Sequence, residues 1–407
     1  MGTDPTVQEQ STGVPGAYYY QPIMPRSHQV RELLKQALTS GRHTEGSTHA
    51  FYLYPARFSP DVANAVISAF STRNDCVLDP FMGGGTAVVE ALMSGRYAVG
   101  ADVNSLGHFV ASVRTQPLSS VDEDALVRWA AMLTTTVHGG SSDVHVSNLP
   151  ANLHRFFSSG LRRIDRLARR RQRAFARCAL LRLGQWALET RQTAITTTRL
   201  AEKLFALVDD MLLGLQDFVE RCAAMDVAKN EITSRRHLLW CDARHLDRRR
   251  LLVERTPRPR LVLTSPPYPR VHVLYHRWQV RGRRETAAPY WIANVPDGRY
   301  ASYYTGGSRT QFGERNYFAM IQDVFSSLRR MIHPEAVVAQ LVGFADIRQQ
   351  LPMYLHAMSE AGYHEDRAIG ARRLWRGVPN RKWHAQLQGA VDAASEVLLV
   401  HRPGRGG

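Results

Sequence analysis

The tightest constraint on this chain is the run from 76 to 102. Cys76-Val77-Leu78-Asp79 reads as a short buried strand that ends in an acid. Phe81-Met82-Gly83-Gly84-Gly85 follows, and glycines after a strand let the backbone turn sharply and approach a ligand closely. Thr86–Met93 has helical spacing, with Ala87, Val88, Ala91 and Leu92 available for packing, and Gly95 closes it. Residues 97–101 read as a second strand. Strand, loop, helix and strand in that order make the crossover unit of a nucleotide-binding parallel sheet.

Asp102 stands at the end of the second strand, 23 residues after Asp79. An acid placed there can bind ribose hydroxyls. The glycine spacing is not that of a dinucleotide G-x-G-x-x-G, and no G-x-x-x-x-G-K-[ST] phosphate loop is present. Asp79 beside the loop would repel a pyrophosphate. It favours a ligand that carries a cation, such as the ammonium of a methionine moiety. Three glycines alone would be an ordinary tight turn, and Asp79 alone a cap; the whole unit argues for a ligand pocket.

A second constellation lies much further along. Residues 261–263 form an apolar strand, and Thr264-Ser265-Pro266-Pro267-Tyr268 follow it. Pro266 and Pro267 stiffen the backbone and remove two amide donors. The turn therefore presents a hydroxyl, a carbonyl and an aromatic ring at the carboxyl end of a strand. Those groups suit an exocyclic amine, whose lone pair is delocalised into its base. Ser265 and the Pro266 carbonyl can accept its protons and localise that pair, and Tyr268 can stack on a base taken out of its helix. The plainer reading is a proline-rich loop whose tyrosine covers the core.

Taken together, these motifs resemble those of the S-adenosylmethionine-dependent DNA amino-methyltransferases, the N4-cytosine and N6-adenine family. Asp79-Pro80-Phe81-Met82-Gly83-Gly84-Gly85-Thr86 matches their DPFxGxGT loop, and Ser265-Pro266-Pro267-Tyr268 their SPPY-type turn. Tyr54-Pro55-Ala56-Arg57-Phe58, Gly100-Ala101-Asp102-Val103-Asn104 and Trp240-Cys241-Asp242-Ala243-Arg244 are similar to flanking elements. The resemblance covers roughly 51–104, 238–268 and, more weakly, 317–402. It implies an α/β fold with a Rossmann-like methyltransferase sheet. It also implies S-adenosyl-L-methionine as cofactor, no metal, and methyl transfer to the amine of a flipped base. Asp79, Pro80, Phe81, the three glycines and Thr86 would hold the methionine end. Asp102 and Asn104 would serve the ribose side, Asp242 the adenine amine, and Phe51 or Phe58 would line the pocket.

The layout departs from the family between Asp102 and Trp240, where many relatives have a short connection. Residues 105–235 are dominated by helical periodicity and read as a helical insertion. Between Arg155 and Arg191 it holds eleven arginines and two acids, Asp165 and Glu189. Residues 269–316 are irregular, with Arg270, Arg277, Arg281, Arg283 and Arg284 among Tyr275, Trp278, Tyr290 and Trp291. Either region could contact a polyanion, and either arginine set could be a solvated face. The expected organisation is an arm over 1–27, a catalytic domain over 28–104 and 236–403, and the insertion between. Helices are expected at 30–37, 317–332 and 351–361, and strands at 336–342 and 396–401.

Charge supports a nucleic-acid partner. Lys plus Arg is 52 against 36 acids, a net +16 with pI near 10.1. Coding bias explains why only four of the 52 are Lys, but not the excess over acids. Double-stranded DNA is the expected partner and RNA the lesser, because no RNP-type aromatic pattern is present. SPPY leans towards N4 of cytosine; N6-adenine, RNA-base transfer and a non-catalytic binding protein are the alternatives. Cys76, Cys178, Cys222 and Cys241 follow Asp75, Arg177, Arg221 and Trp240, so none forms the Pro-Cys pair of C5-cytosine chemistry. Their spacing fits neither a disulfide framework nor a zinc site, and with no secretory or membrane-spanning pattern a cytoplasmic location is expected. A restriction or other defence partner is a possible context.

Overall fold

Strand β1 (Cys76–Asp79) is buried at all four positions, so both faces of its sheet must be covered. The computed structural model describes residues 27–40, 46–53, 59–135, 145–189, 195–249, 257–269, 272–273, 277–280, 284–297, 304–305, 311–377 and 395–404. Helices α1 (Ser27–Thr39) and α2 (Pro60–Phe70) precede β1. Ser59 is the N-cap of α2, and Pro60 at its first position gives up an N–H that would be unpaired anyway. The glycine loop leads into α3 (Thr86–Met93), then β2 (Tyr97–Asp102) and α4 (Ser105–Arg114).

Four helices follow: α5 (Ser120–Thr135), α6 (Ala151–Ile164), α7 (Arg170–Glu189) and α8 (Thr197–Ala224). Helix α4 lies against β2 and against β3 (Arg236–Trp240), the position of a crossover helix. The residues in excess of an ordinary crossover are therefore α5 to α8. A 3-10 turn over Ala243–Arg248 leads towards β4 (Pro259–Thr264).

Region 269–316, expected to be irregular, contains short pieces of regular structure. Strand β5 (His272–Val273) pairs with β8 (Tyr304–Thr305). Strand β6 (Trp278–Val280) pairs with β7 (Arg284–Thr286), and α9 (Ala288–Ala293) follows. Helix α10 (Gln311–Arg329) begins earlier than its apolar spacing suggested. Then come β9 (Val337–Gly343), α11 (Ile347–Glu360), β10 (Tyr363–Glu365), β11 (Leu374–Gly377) and β12 (Ser395–Pro403).

The main sheet runs β10-β12-β9-β4-β1-β2-β3, with β11 added on β12. Pairs among β9, β4, β1, β2 and β3 are parallel, and β12 enters antiparallel between β9 and β10. This is a doubly wound, Rossmann-like α/β sheet. Strand β1 pairs with β2 on one side and β4 on the other, so the strand order reverses there. Such a switch point opens a crevice at the carboxyl ends of the strands.

Side chains alternate between the two faces. Val77, Leu261, Leu263 and Ala339 join one apolar cluster with helices α1 to α9, while Leu78, Val262 and Val338 join another with α10 and α11. Burying each Leu or Val fully contributes about 1.5–3 kcal/mol, which fixes the register beneath the site. Among the described residues no helix is long and apolar enough to cross a membrane.

Candidate active site

Five strand ends line one edge of the sheet, and their order sets the site. Asp242 follows β3, Asp102 ends β2, Asp79 ends β1, Thr264 ends β4 and Gly343 ends β9. Adjacent strands lie about 4.8 Å apart, so Asp79 and the end of β3 are separated by roughly 10 Å. That span suits an extended ligand with distinct groups at its two ends.

Asp79 is 5% exposed. Its Oδ1 accepts from Thr264 Oγ1 at 2.7 Å and from the Phe81 amide at 3.1 Å. Its Oδ2 has no protein donor among the described residues. Burial pushes the carboxyl up to about 7; the Thr264 and Phe81 hydrogen bonds oppose this, and the neighbouring Asp102 charge adds to it. Asp102 accepts from the Gly83 amide and the Asn104 amide, both at 2.8 Å. Burial pushes it up to about 6 against those two bonds. Two neighbouring carboxylates with no cationic partner among the described residues form a donor set for a positively charged ligand. S-adenosylmethionine, with its ammonium and sulfonium, fits this set.

The loop's glycines are used for their backbone. Gly83 has φ 49 and Gly85 φ 81, both left-handed. Gly85 is the N-cap of α3, and a Cβ there would lie 2.8 Å from Ala111 Cβ on α4. The Met82 amide donates to the Ala101 carbonyl, which brings the loop back over β2. Pro80 and Phe81 make the turn out of β1, and Thr86, 6% exposed, opens α3.

Two residues expected at the cofactor also have protein partners. Asn104 is fully buried; it caps α4 by accepting from the Leu106 amide at 2.8 Å and also receives the Tyr290 hydroxyl at 3.4 Å. Asp242 caps the 3-10 turn. It accepts from the Arg244 amide at 2.9 Å and from its guanidinium at 2.6 Å. Burial works to raise the Asp242 carboxyl, but the Arg244 bonds together hold it below the usual range. An adenine amine at Asp242 would compete with Arg244. Phe51 is buried under the insertion, against Phe175, and Phe58 lies outside the described residues.

The turn after β4 is half covered. Ser265 and Pro267 are partly exposed, and Pro266 is buried. Tyr268 is 7% exposed, and a Cβ on Gly343 would fall 2.8 Å from its ring. Its hydroxyl donates to Glu396 on β12, and Arg376 stands 3.9 Å from that carboxylate. Sequence reasoning passed over Glu396 and the linking role of Thr264. The second was visible, since Thr264 sits in the quoted turn. The first lies 128 residues from Tyr268 and carries no local signal.

The two candidate recognition regions meet. The Trp278 ring of β6 lies so close to α7 that a Cβ on Gly184 would be 2.1 Å from it, and its Nε1 donates to Tyr52 at 3.2 Å. Arg177 of α7 donates to the Ile292 carbonyl at 2.9 Å, and His154 stacks on Trp291 at 5.1 Å. An open cleft of about 550 Å³ lies between 145–147 and α9, lined by His145, Tyr290, Trp291, Asn294 and Asp297 among others. Arg277 pairs with Asp297 at 2.8 Å, and Arg284 is exposed. Arg270, Arg281 and Arg283 lie outside the described residues.

Of the insertion's arginines, Arg155, Arg162, Arg166 and Arg170 are exposed. Arg169, also exposed, and Arg171 hold Asp122, whose side chain is fully buried, at 3.0 and 2.6 Å. All four cysteines are buried, and burial raises each thiol, Cys76, Cys178 and Cys222 to about 12. A thiolate nucleophile is correspondingly disfavoured. Among the described residues no group of three or more His, Cys, Asp or Glu could hold a metal ion.

A sequence profile of the N6/N4 methyltransferases, described as DNA methylase, matches residues 14–106. The Type II methyltransferase M.MvaI of Kocuria varians is 33% identical over 79 residues, 19% of this chain and 17% of that protein. The Type II methyltransferase M.MjaII of Methanocaldococcus jannaschii is 27% identical over 79 residues, 19% of this chain and 15% of that protein. The chain thus matches less than a fifth of either relative's length. Among solved structures, TrmN from Thermus thermophilus gives a TM-score of 0.33 at 13% identity, over 88% of this chain and 52% of that one. The rRNA methyltransferase aviRa from Streptomyces viridochromogenes gives 0.32 at 12%, over 86% and 89%. Neither likeness bears on the substrate. The profile match takes in the glycine loop and Asp102, so over residues 14–106 the chain is similar to the N6/N4 DNA methylases.

Proposed function

We propose that the chain transfers a methyl group from S-adenosylmethionine to the exocyclic amine of a base in double-stranded DNA, N4 of cytosine. The observation that carries this reading is the hydrogen bond from Thr264 to Asp79. It ties the first residue of the amine-binding turn to the acid of the cofactor loop. Two constellations far apart in sequence are thereby held at one switch point.

Bound S-adenosylmethionine supplies a methyl carbon made electrophilic by its sulfonium. Asp79 and the glycine loop would hold the methionine end and Asp102 the ribose, with Asp242 available to the adenine where Arg244 yields. Ser265 Oγ and the Pro266 carbonyl accept the amine's N–H groups and localise its lone pair. With the cofactor bound, Ser265 and Pro266 would hold the amine nitrogen towards the methyl carbon, and Ser265 would pass the proton released by the amine to solvent. The fixed turn contributes chiefly by orientation. Stacking on Tyr268 requires uncovering more of its ring than the 7% now open.

The exposed Arg155, Arg162, Arg166, Arg170 and Arg284 supply cations for phosphates. Cytosine is preferred because Ser265, and not Asp, precedes Pro266-Pro267-Tyr268. A nuclease partner in a defence system is consistent with likeness to type II methyltransferases. The test is mass spectrometry of nucleosides after incubation with labelled cofactor and unmethylated DNA, with RNA in parallel. N4-methylcytosine in DNA is the expected product. N6-methyladenine would change the base and keep the chemistry, and label in RNA alone would overturn the DNA assignment.

A further inference from the structure

A chain of buried polar groups runs beneath the cofactor loop and is no part of either motif. Arg114, the last residue of α4, is 2% exposed, and its guanidinium donates to the Gly84 carbonyl and to His49 Nδ1. His49, 3% exposed, lies in the 3-10 turn Ser47–Phe51, and its Nε2 meets Glu90 Oε1 of α3 at 2.7 Å. Asn64 of α2 donates to the other Glu90 oxygen at 3.2 Å. Four segments are therefore linked, through Arg114, to one peptide group of the loop.

Gly84 stands between two glycines in the left-handed region, the part of the chain with most conformational freedom to lose. That freedom is removed from both sides. Asp102 takes the Gly83 N–H, and Arg114 takes the Gly84 carbonyl. Burying a guanidinium, an imidazole and a carboxylate is costly, and for stability alone apolar side chains of similar volume often serve as well. Arg also offers a planar fork of donors that fixes orientation. A buried chain whose far end is a backbone carbonyl in the ligand loop is better explained by geometry than by stability.

We propose that Arg114, oriented by His49 and Glu90, is a positioning residue that holds the 83–85 loop in its ligand-binding shape. The proposal rests on the reading of this loop as the S-adenosylmethionine site. Arg114 touches no substrate; it acts through the Gly84 carbonyl. Because the Gly84 carbonyl and the Gly85 N–H belong to one peptide group, releasing that carbonyl also loosens the Gly85 N–H from the Met82 carbonyl, which it meets at 2.7 Å.

The test compares full-length wild type with Arg114→Met, Arg114→Lys and Glu90→Gln. S-adenosylmethionine affinity is measured by calorimetry, and amide hydrogen exchange at Gly83 and Gly85 by mass spectrometry. Arg114→Met should weaken cofactor affinity at least tenfold and speed exchange at those two amides, with DNA affinity unchanged within twofold. Arg114→Lys should recover part of the affinity. Glu90→Gln should give a smaller loss, about two- to fivefold. In turnover the effect should fall on the cofactor KM, with kcat at saturation retained within about threefold. A folded Arg114→Met with wild-type affinity and wild-type exchange overturns the proposal. If that variant fails to fold, the affinity and exchange of Arg114→Lys and Glu90→Gln decide in its place. Should wild type itself bind no S-adenosylmethionine, the functional reading fails, and exchange at Gly83 and Gly85 still judges the positioning role.

Discussion

Thr264 Oγ1 donates to Asp79 Oδ1 across 2.7 Å, joining the ends of two strands whose sequence positions differ by 185 residues. The bond spans the switch point of the sheet, between β1 and β4. Thr264 is fully buried, so its hydroxyl has no water to turn to. Thr264→Val keeps the shape and removes the donor. A hydrogen bond to a charged group is worth about 1.5–3 kcal/mol, and stability above pH 8 should fall on that scale. Urea unfolding of the two proteins measures it; equal midpoints would mean that the bond carries no net stability.

The same bond sets a pH dependence. The Asp79 carboxyl is raised to about 7 from 3.8, mainly by burial. A raised acid means that the folded protein holds a proton the unfolded chain releases between those values. Its contribution to stability is therefore full below about pH 4 and is lost as pH climbs through 7. A cationic ligand prefers the ionised acid, so S-adenosylmethionine affinity should rise as pH increases through 6 to 7, with proton release. Calorimetry in buffers of different ionisation enthalpy counts the protons. Thr264→Val removes an interaction that lowers the Asp79 value, so its affinity midpoint should move to higher pH. Asp79→Asn should abolish the dependence, unless Asp102, raised to about 6, is the titrating group.

Tyr268 separates ring from hydroxyl. Its hydroxyl is committed to Glu396, and its ring lies on Gly343. Tyr268→Phe should lower stability by about 1–3 kcal/mol, the scale of disturbing a buried hydrogen bond, while methyl transfer persists. Tyr268→Ala should abolish transfer and leave cofactor affinity within twofold. Paired thermal melts and transfer assays distinguish the two. Loss of transfer in the Phe variant would show that the hydroxyl, and not only the ring, is needed.

Gly85 combines two demands in one residue. Its φ of 81 disfavours any side chain, and Ala111 Cβ occupies the space 2.8 Å from where a Cβ would sit. Gly85→Ala should cost about 2–4 kcal/mol, the sum of left-handed strain and overpacking. Denaturant unfolding would register this as a lower midpoint with an unchanged slope; an unchanged midpoint would mean that α4 gives way.

The loop unit was legible because each signal there is local. The strand Cys76–Asp79 and the helix Thr86–Met93 fall where the apolar run and the glycines put them. Asp122 also follows a local rule: it caps α5 by accepting from the Ser119 amide at 2.9 Å, three residues back. The pairing of Asp242 with Arg244 could have been read from Asp-Ala-Arg, since an acid that opens a turn accepts from the residue two on. What escaped was non-local. Strands of two or three residues, such as β6, carry too little pattern to be recognised, and packing against α7 supports them. The contact of Arg114 with Gly84 depends on where α4 lands on the sheet, which no spacing in the sequence encodes. The arginine-rich stretch divides for the same reason: Arg169 and Arg171 are anchored by a buried acid that the sequence places 47 or more residues away.

Trp278 resting on Gly184 limits how the helical insertion could be exchanged between related chains. A stretch that exchanges freely between related chains must detach at its ends and nowhere else. Here α6 and α7 are tied to β6 and α9, which belong to a later stretch of the chain. Transplanting 116–235 into a relative would strip the indole of its seat and leave an apolar ring in water. The two stretches therefore pack as one unit, and a graft that keeps the indole buried must move both at once.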